Sequence, residues 1–362
     1  MAKTCIFCGE RPQSKNKEHV IPQWLIRMTG DPNRQINLGA DMRHLAQTGE
    51  SKLLTYAFKA FTFPACEDCN LKGAQLEGRA KAHMEKIFAN DFLSAGDLDE
   101  LLDWFDKVRI GLWLGGLKLD GIEDYVQPGF YINRRIGQRD RSLLIYEMIQ
   151  PVPDGINMVG TTSSGFQHIP SCFALRINYL YFFNISYDFL FARRFGFPYP
   201  AIFAVAAENA RAYHLEYAAG TGKLKLPLLP FQLRQPGIAI HQPIIAGETS
   251  EGDYQKFFEV PYVQDKLLTR HKGAIFYEEN GKLIQMDEQT ELRLDGYQKL
   301  DPNAARHLIG KQVMQTTENL LLSKQDMRYL DEDQQKIRKA NMKIVVKAHR
   351  DLWHTNIKTA FS

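Results

Sequence analysis

Two pairs of cysteines constrain the fold of this chain more than any other feature of its sequence. Cys5 and Cys8 stand near the start, Cys66 and Cys69 follow much later, and each pair encloses two residues. This spacing is typical of zinc knuckles, whereas disulfides are rare in a reducing compartment. Four thiolates close a tetrahedral shell around Zn²⁺ and leave no open position, so the predicted zinc is structural. The alternative is four unligated core cysteines.

Polar residues suited to hydrolytic chemistry follow each cysteine pair. Residues 18–22 read Glu-His-Val-Ile-Pro, which predicts a short strand ended by proline, with Glu18 and His19 on opposite faces at its start. An imidazole that titrates near neutrality can take a proton from water. Asn70 directly follows Cys69, so the zinc would fix its position. Carboxylate and amide oxygens are hard ligands that suit Mg²⁺.

Taken in order, the two cysteine pairs, the segment 18–22 and Asn70 resemble the HNH endonuclease family over about the first quarter of the chain. The resemblance implies a ββα-metal unit braced by the four-cysteine zinc. By position it implies that His19 is the general base and that Glu18 and Asn70 hold a catalytic ion, Mg²⁺ or Mn²⁺. The family more often has Asp at position 18, and its middle Asn is not visible near Phe61 and Thr62.

Several further residues are candidates for the same site. Glu77 follows Asn70 by two helical turns and therefore shares its helix face. It is predicted to be a further ligand of the catalytic ion or a partner of a ligand, and the alternative is an ordinary solvated glutamate. Lys72 is a candidate phosphate contact on the same helix, with surface charge as the alternative.

A basic stripe is predicted on the last long helix, where cationic residues recur at spacings of three and four. Such a stripe can track a phosphate backbone, although a solvated amphipathic face is the simpler interpretation. Ile337 and Ile344 are expected to lie on the opposite, packed face. The stripe consists of Lys336, Lys339, Lys343, Lys347 and Arg350, and Lys339, Lys343 and Lys347 are its candidate nucleic-acid contacts.

The chain of 362 residues is long enough for two domains. We predict an α+β protein with a zinc-stapled ββα module over residues 1–95. A larger mixed α+β domain with C-terminal helices follows over residues 96–362, and its role stays open between substrate recognition, oligomerisation and regulation. Residues 173–185 alternate in apolar character, which predicts one strand whose aromatic face is either core or a surface that stacks nucleotides. Residues 274–286 predict a hairpin with Asn280 and Gly281 at its turn.

Composition sets the remaining limits. The net charge of +3 is too small to indicate a nucleic-acid partner by itself. The sequence contains no run of 18 apolar residues and its start lacks the apolar core of a signal peptide, so we expect a cytoplasmic protein without a membrane span.

The leading hypothesis is a metal-dependent HNH endonuclease that hydrolyses phosphodiester bonds of nucleic acid. Double-stranded DNA is the favoured substrate, RNA and homo-oligomeric assembly stay open, and bacterial restriction or phage defence is the context by analogy alone. The first alternative is a non-catalytic, zinc-stabilised nucleic-acid-binding protein. The second is a protein-interaction adaptor.

Overall fold

The computed structural model shows a mixed α+β protein, as the sequence predicts. It describes residues 4–11, 16–40, 44, 47–48, 53–57, 62–119, 132–137, 139–187, 199–205, 213–218, 238–244, 272–279, 282–295, 298–321 and 331–361. None of the helices within these ranges is long and apolar enough to cross a membrane.

Six α-helices and fifteen strands are described in these ranges. The helices are α1 (Gln23–Met28), α2 (Glu67–Phe88), α3 (Ala95–Leu119), α4 (Ser164–His168), α5 (Pro302–Leu321) and α6 (Glu332–Phe361). The strands are β1 (Lys17–His19), β2 (Gln35–Ala40), β3 (Leu53–Ala57), β4 (Thr62–Pro64), β5 (Phe92–Ser94), β6 (Asp140–Glu147), β7 (Ile156–Val159), β8 (Cys172–Ile177), β9 (Leu180–Tyr187), β10 (Tyr199–Val205), β11 (Tyr213–Ala218), β12 (Ile238–Gln242), β13 (Phe276–Glu279), β14 (Lys282–Gln285) and β15 (Glu291–Arg293). A short 3₁₀ helix covers Ile132–Arg134.

A seven-stranded antiparallel sheet forms the centre of the larger part of the chain. Its strand order is β14-β13-β12-β6-β9-β8-β7. Side chains of successive residues point to opposite faces of a strand, so each central strand feeds two cores. Leu143 and Ile145 of β6 belong to the core that contains α3, whereas Leu144 and Tyr146 belong to the core that contains α5. The sheet is therefore a layer between helices.

The aromatic segment 173–185 forms a hairpin, so the prediction of one continuous strand is wrong. β8 and β9 pair up to Ile177 and Leu180, and Asn178 between them has φ 52°. Asparagine tolerates this left-handed conformation better than most residues, which permits the two-residue turn. Across the turn, the alternating apolar side chains change from one face of the sheet to the other. Phe173 lies in the core with α3, and Phe183 lies in the core with α5. Both are fully buried, which confirms the core interpretation.

Other sequence predictions have mixed outcomes. The hairpin of β13 and β14 is confirmed, and its predicted turn at 280–281 lies outside the described residues. The two C-terminal helices are confirmed.

Ile337 and Ile344 of α6 were expected to pack, but they are 63% and 68% exposed. Among the α6 residues whose side chains the structure describes, Met342, Val346 and His349 are buried, because α6 lies against α4 and α5 through that face.

The N-terminal elements join the larger sheet through α3. α3 begins at Ala95, directly after β5, and its first turn is a reciprocal cap. The Asp97 amide donates to Ser94 Oγ at 3.1 Å, and the Ser94 amide donates to Asp97 Oδ2 at 3.0 Å. One hydrophobic cluster runs from Leu76 of α2 through Phe105 of α3 to the sheet. The division at residue 95 stays a prediction, and this described core is continuous across it.

A buried network of charges anchors α3 to the sheet. Arg141 of β6 is fully buried and donates to Asp99 at 2.8 Å, to Asp103 at 2.5 Å and to Asp106 at 3.1 Å. Although burial alone would lower it, these carboxylates raise the pKa of Arg141 above its ordinary value. Three carboxylates share three cations: Asp99, Asp103 and Asp106 with Arg109, Arg141 and Lys272.

Replacing Arg141 with methionine should lower the free energy of unfolding by about 3–5 kcal/mol, because it leaves buried carboxylates without their cation. Arg293, whose ion pair with Asp295 is exposed, is the matched control, and its methionine variant should lose less than about 1 kcal/mol. Chemical denaturation of both variants measures the difference, and equal small losses would contradict the account.

Candidate metal centre

The four cysteines of the predicted zinc site lie together. Their sulfur atoms are all within 4.8 Å of one another, close enough to hold one metal ion. Cys5 and Cys69 are buried, whereas Cys8 and Cys66 are half-buried. All four are free thiols in the structure, and four sulfurs are a donor set that fits a tetrahedral Zn²⁺.

Local backbone geometry explains why each pair of cysteines is presented as a knuckle. The Gly9 amide donates to the Cys5 carbonyl at 2.9 Å, and Gly9 has φ 87°, which glycine adopts without strain. The second pair opens α2, with Cys66 as its N-cap. The Ile6 amide donates to the Pro64 carbonyl at 3.0 Å, which joins the first knuckle to β4 beside the second.

The thiols differ in how readily they ionise. Burial and hydrogen bonds with Cys66 and Cys8 raise the pKa of Cys69 above its ordinary value. Burial also opposes ionisation of Cys5, but backbone amides, including those of Cys66 and Cys8, lower its pKa below the ordinary value. A bound cation would favour the thiolate form of all four, since metal binding releases their protons.

Asn133 also reaches the cysteine cluster, and the sequence does not indicate it. Its side-chain amide donates to Cys69 Sγ at 3.3 Å. The Asn133 backbone amide donates to the Phe7 carbonyl at 3.1 Å, so the 3₁₀ helix is fastened to the first knuckle. Amide donors to ligating sulfur tune a metal site. The residue lies far from both cysteine pairs in sequence, so no local motif could have identified it.

β1, β4 and α2 meet beside the cysteine cluster in a ββα arrangement. β1 pairs with β4 in antiparallel register, with Glu18 opposite Phe63 and His19 opposite Thr62. Alternation along β1 buries Glu18 and leaves His19 half-buried, as the opposite faces predict. The Gln23 side chain lies 3.5 Å from Nε2 of the His19 ring.

Glu18 and Glu77 are brought together by a residue that sequence reasoning missed. The Lys107 ammonium donates to Glu18 Oε1 at 2.7 Å and also to Glu77 Oε1. Gly73 of α2 permits this approach, because a Cβ there would lie 3.2 Å from Glu18 Oε1. Lys107 belongs to α3, within a helix whose apolar repeat gives no sign of a charged site.

The antiparallel packing of α2 against α3 determines the helix register in which Lys107 contacts Glu77. Polar pairs bridge the two helices in antiparallel order: later residues of α2 contact earlier residues of α3. They are Lys107 with Glu77, His83 Nε2 with Glu100 at 2.8 Å, and Lys86 with Asp97 at 2.7 Å. The helix register, and not local sequence, therefore places Lys107 at the acidic pair.

Asn70 has an unsatisfied oxygen on the same side of α2. Asn70, Gly73 and Glu77 are spaced at three and seven residues, so they share one helix face. The Asn70 amide N–H donates to the Cys66 carbonyl at 2.9 Å, but its side-chain Oδ1 is buried without a hydrogen-bond partner among the described residues. Buried polar atoms are nearly always paired, so an orphaned oxygen suggests a missing ligand.

Burial raises the pKa of Glu77 to about 7, because desolvation and the neighbouring Glu18 outweigh the attraction of Lys107. A carboxyl group with this pKa releases its proton readily when a further cation approaches.

The predicted basic contacts lie at two separate places. Lys72 is exposed on α2, and Lys339, Lys343 and Lys347 are exposed on α6. α6 packs against α4 and α5, whereas α2 packs against α3 and β5. Cys172, outside the metal centre, is buried as predicted, and burial raises its pKa to about 12.

Comparisons with protein-family models, with curated proteins and with solved structures gave no significant match to this chain. The interpretation of its function therefore depends on the geometry of the site.

Purified protein should contain one zinc ion per chain, measured by elemental analysis. Cys69→Ser should lose it and should lower the free energy of unfolding by several kcal/mol, since the ion ties β4 and α2 to the first knuckle. Cys172→Ser is the matched control, with full zinc content expected. A metal-free protein of unchanged stability would refute the zinc scaffold.

Proposed function

We propose that the N-terminal unit is a metal-dependent endonuclease of the HNH type, which hydrolyses phosphodiester bonds of nucleic acid. The observation that carries the proposal is that β1, β4 and α2 meet at the four-thiol cluster, with an acidic pair and an orphaned amide oxygen at one face of α2. The motif order in the sequence supports the same proposal.

The donor atoms fit a hard divalent cation. Glu18, Glu77 and Asn70 offer two carboxylates and one amide oxygen, the ligand types that Mg²⁺ and Mn²⁺ accept. Asn70 Oδ1 lacks a hydrogen-bond partner among the described residues. Such an ion, when bound, supplies positive charge at the scissile phosphate and at the leaving oxygen.

His19 is the proposed general base. Its imidazole lies on the face of β1 opposite the Glu18 side chain and is half-buried, so water can reach it. In the proposed reaction His19 takes the proton of a water molecule, the water oxygen attacks phosphorus in line, and the bond to the 3′ oxygen breaks while that oxygen takes a proton from solvent. Glu18 and Asn70 would hold the ion and exchange no proton in this step.

Nucleic acid is the proposed partner, with double-stranded DNA as the favoured substrate. Lys72 lies on the helix that carries the site and is free to meet solvent, and Lys339, Lys343 and Lys347 form an exposed basic face on α6. Cationic side chains on such faces bind phosphates without base specificity. A role in bacterial restriction or phage defence is part of the proposal by analogy alone.

One observation favours the rival function, a zinc-stabilised nucleic-acid-binding protein without catalysis. The Glu18 carboxylate already has a cation, since Lys107 lies 2.7 Å from it. In that reading the acidic pair and Lys107 are a buried structural ion pair, and the chain binds nucleic acid without cleaving it.

A cleavage assay separates the two functions. Zinc-loaded protein should cut plasmid or linear DNA in Mg²⁺ or Mn²⁺ and should stop in a chelator, with RNA run in parallel to define the substrate. His19→Ala should reduce the rate by about 10²- to 10⁴-fold, because the general base is lost.

The control is His307→Ala, which removes an exposed histidine of α5 and should cleave at the wild-type rate. Binding without cleavage of any substrate would establish the rival function. Full activity of His19→Ala would overturn the assigned base.

A further inference from the structure

Lys107 is the least exposed member of the acidic site. Its side chain is 1% exposed, against 11% for Glu18 and 15% for Glu77. The ammonium therefore lies on the inner side of the two carboxylates, and the carboxylates lie toward the surface. A cation that arrives from solvent meets the carboxylates first.

A contact with the first zinc knuckle holds Lys107 on that inner side. Its ammonium lies 5.7 Å from the centroid of the Phe7 ring, at cation–π range, and Phe7 stands between Cys5 and Cys8. Phe7 is itself buried. The knuckle, β1 and α2 thus each contribute one contact to the ammonium group of a lysine that α3 carries.

The charges in this cluster do not balance. Two carboxyl groups share one ammonium, so the cluster is neutral only while one carboxyl keeps its proton, whereas the network around Arg141 matches three carboxylates with three cations. An unbalanced buried charge is costly unless a further cation compensates it. The cluster is therefore poised to accept positive charge, and the orphaned Asn70 Oδ1 adds a neutral donor on the same helix face.

We infer that Lys107 is a built-in counter-ion that holds Glu18 and Glu77 in place before a divalent cation binds and that weakens the binding of that cation by its own charge. The inference rests on the proposed function and deepens it. Lys107 is a positioning residue in this account, since its buried ammonium cannot reach a phosphate. Its charge lowers the affinity for the ion, so the ion can dissociate. Its contacts hold both carboxylates in position for the same ion.

The test is the affinity of the zinc-loaded, full-length protein for Mn²⁺, measured by electron paramagnetic resonance of the free ion. Lys107→Met removes the charge and keeps a similar length, so Mn²⁺ should bind about tenfold more tightly, or more, than to wild type. Lys272→Met is the matched control, because Lys272 is also buried between two carboxylates, Asp99 and Asp103. Its Mn²⁺ affinity should equal that of wild type.

The outcomes separate this inference from the proposed function. Glu18→Gln should abolish Mn²⁺ binding. If the wild-type protein also binds no Mn²⁺, the proposed catalytic-ion site is wrong. If wild type binds through Glu18 but Lys107→Met binds no more tightly, the counter-ion role is overturned and the ion site stands. Should Lys107→Met fail to fold, Lys107→Gln removes the charge while keeping hydrogen bonds to both carboxylates, and it must show the same gain.

Discussion

The closure of the four-thiol cluster is the constraint on which the candidate site depends. Cys8 and Cys66 are 58 positions apart in sequence, yet their sulfur atoms lie 3.8 Å apart. Their meeting brings β1 and β4 together and fixes where α2 begins, so Gly73 of α2 lies against Glu18 of β1. A metal ion at the cluster would hold this arrangement in addition to the hydrophobic core that α2 shares with α3 and the sheet. The chemistry proposed at Glu18 and Asn70 therefore depends on a scaffold that takes no part in it.

α3 links that scaffold to the rest of the molecule through two kinds of buried charge. Toward the sheet, its carboxylates meet Arg141 in a balanced network that resembles a structural anchor. Toward α2, Lys107 meets an excess of negative charge. Burial raises the pKa of Glu77 to about 7 at the unbalanced cluster. A buried excess of negative charge is costly unless a ligand compensates it. The cluster around Lys107, and not the network around Arg141, is therefore the functional candidate.

Sequence patterns predicted the features that depend on local spacing. The cysteine pairs, the alternation of Glu18 and His19 and the two C-terminal helices follow from spacing, caps and periodicity. The features that were missed depend on how distant elements meet. Lys107 and Asn133 reach the site only after α3 and the 3₁₀ helix have docked. The continuous strand predicted over residues 173–185 failed because a single asparagine, Asn178, turns the chain without interrupting the apolar alternation.

Anomalous diffraction from crystals of the zinc-loaded protein soaked in Mn²⁺ tests whether two different cations occupy separate sites. Two separate peaks are expected: zinc among Cys5, Cys8, Cys66 and Cys69, and manganese in contact with Glu18 and Asn70. A zinc peak alone at saturating Mn²⁺ would contradict a catalytic ion at this site.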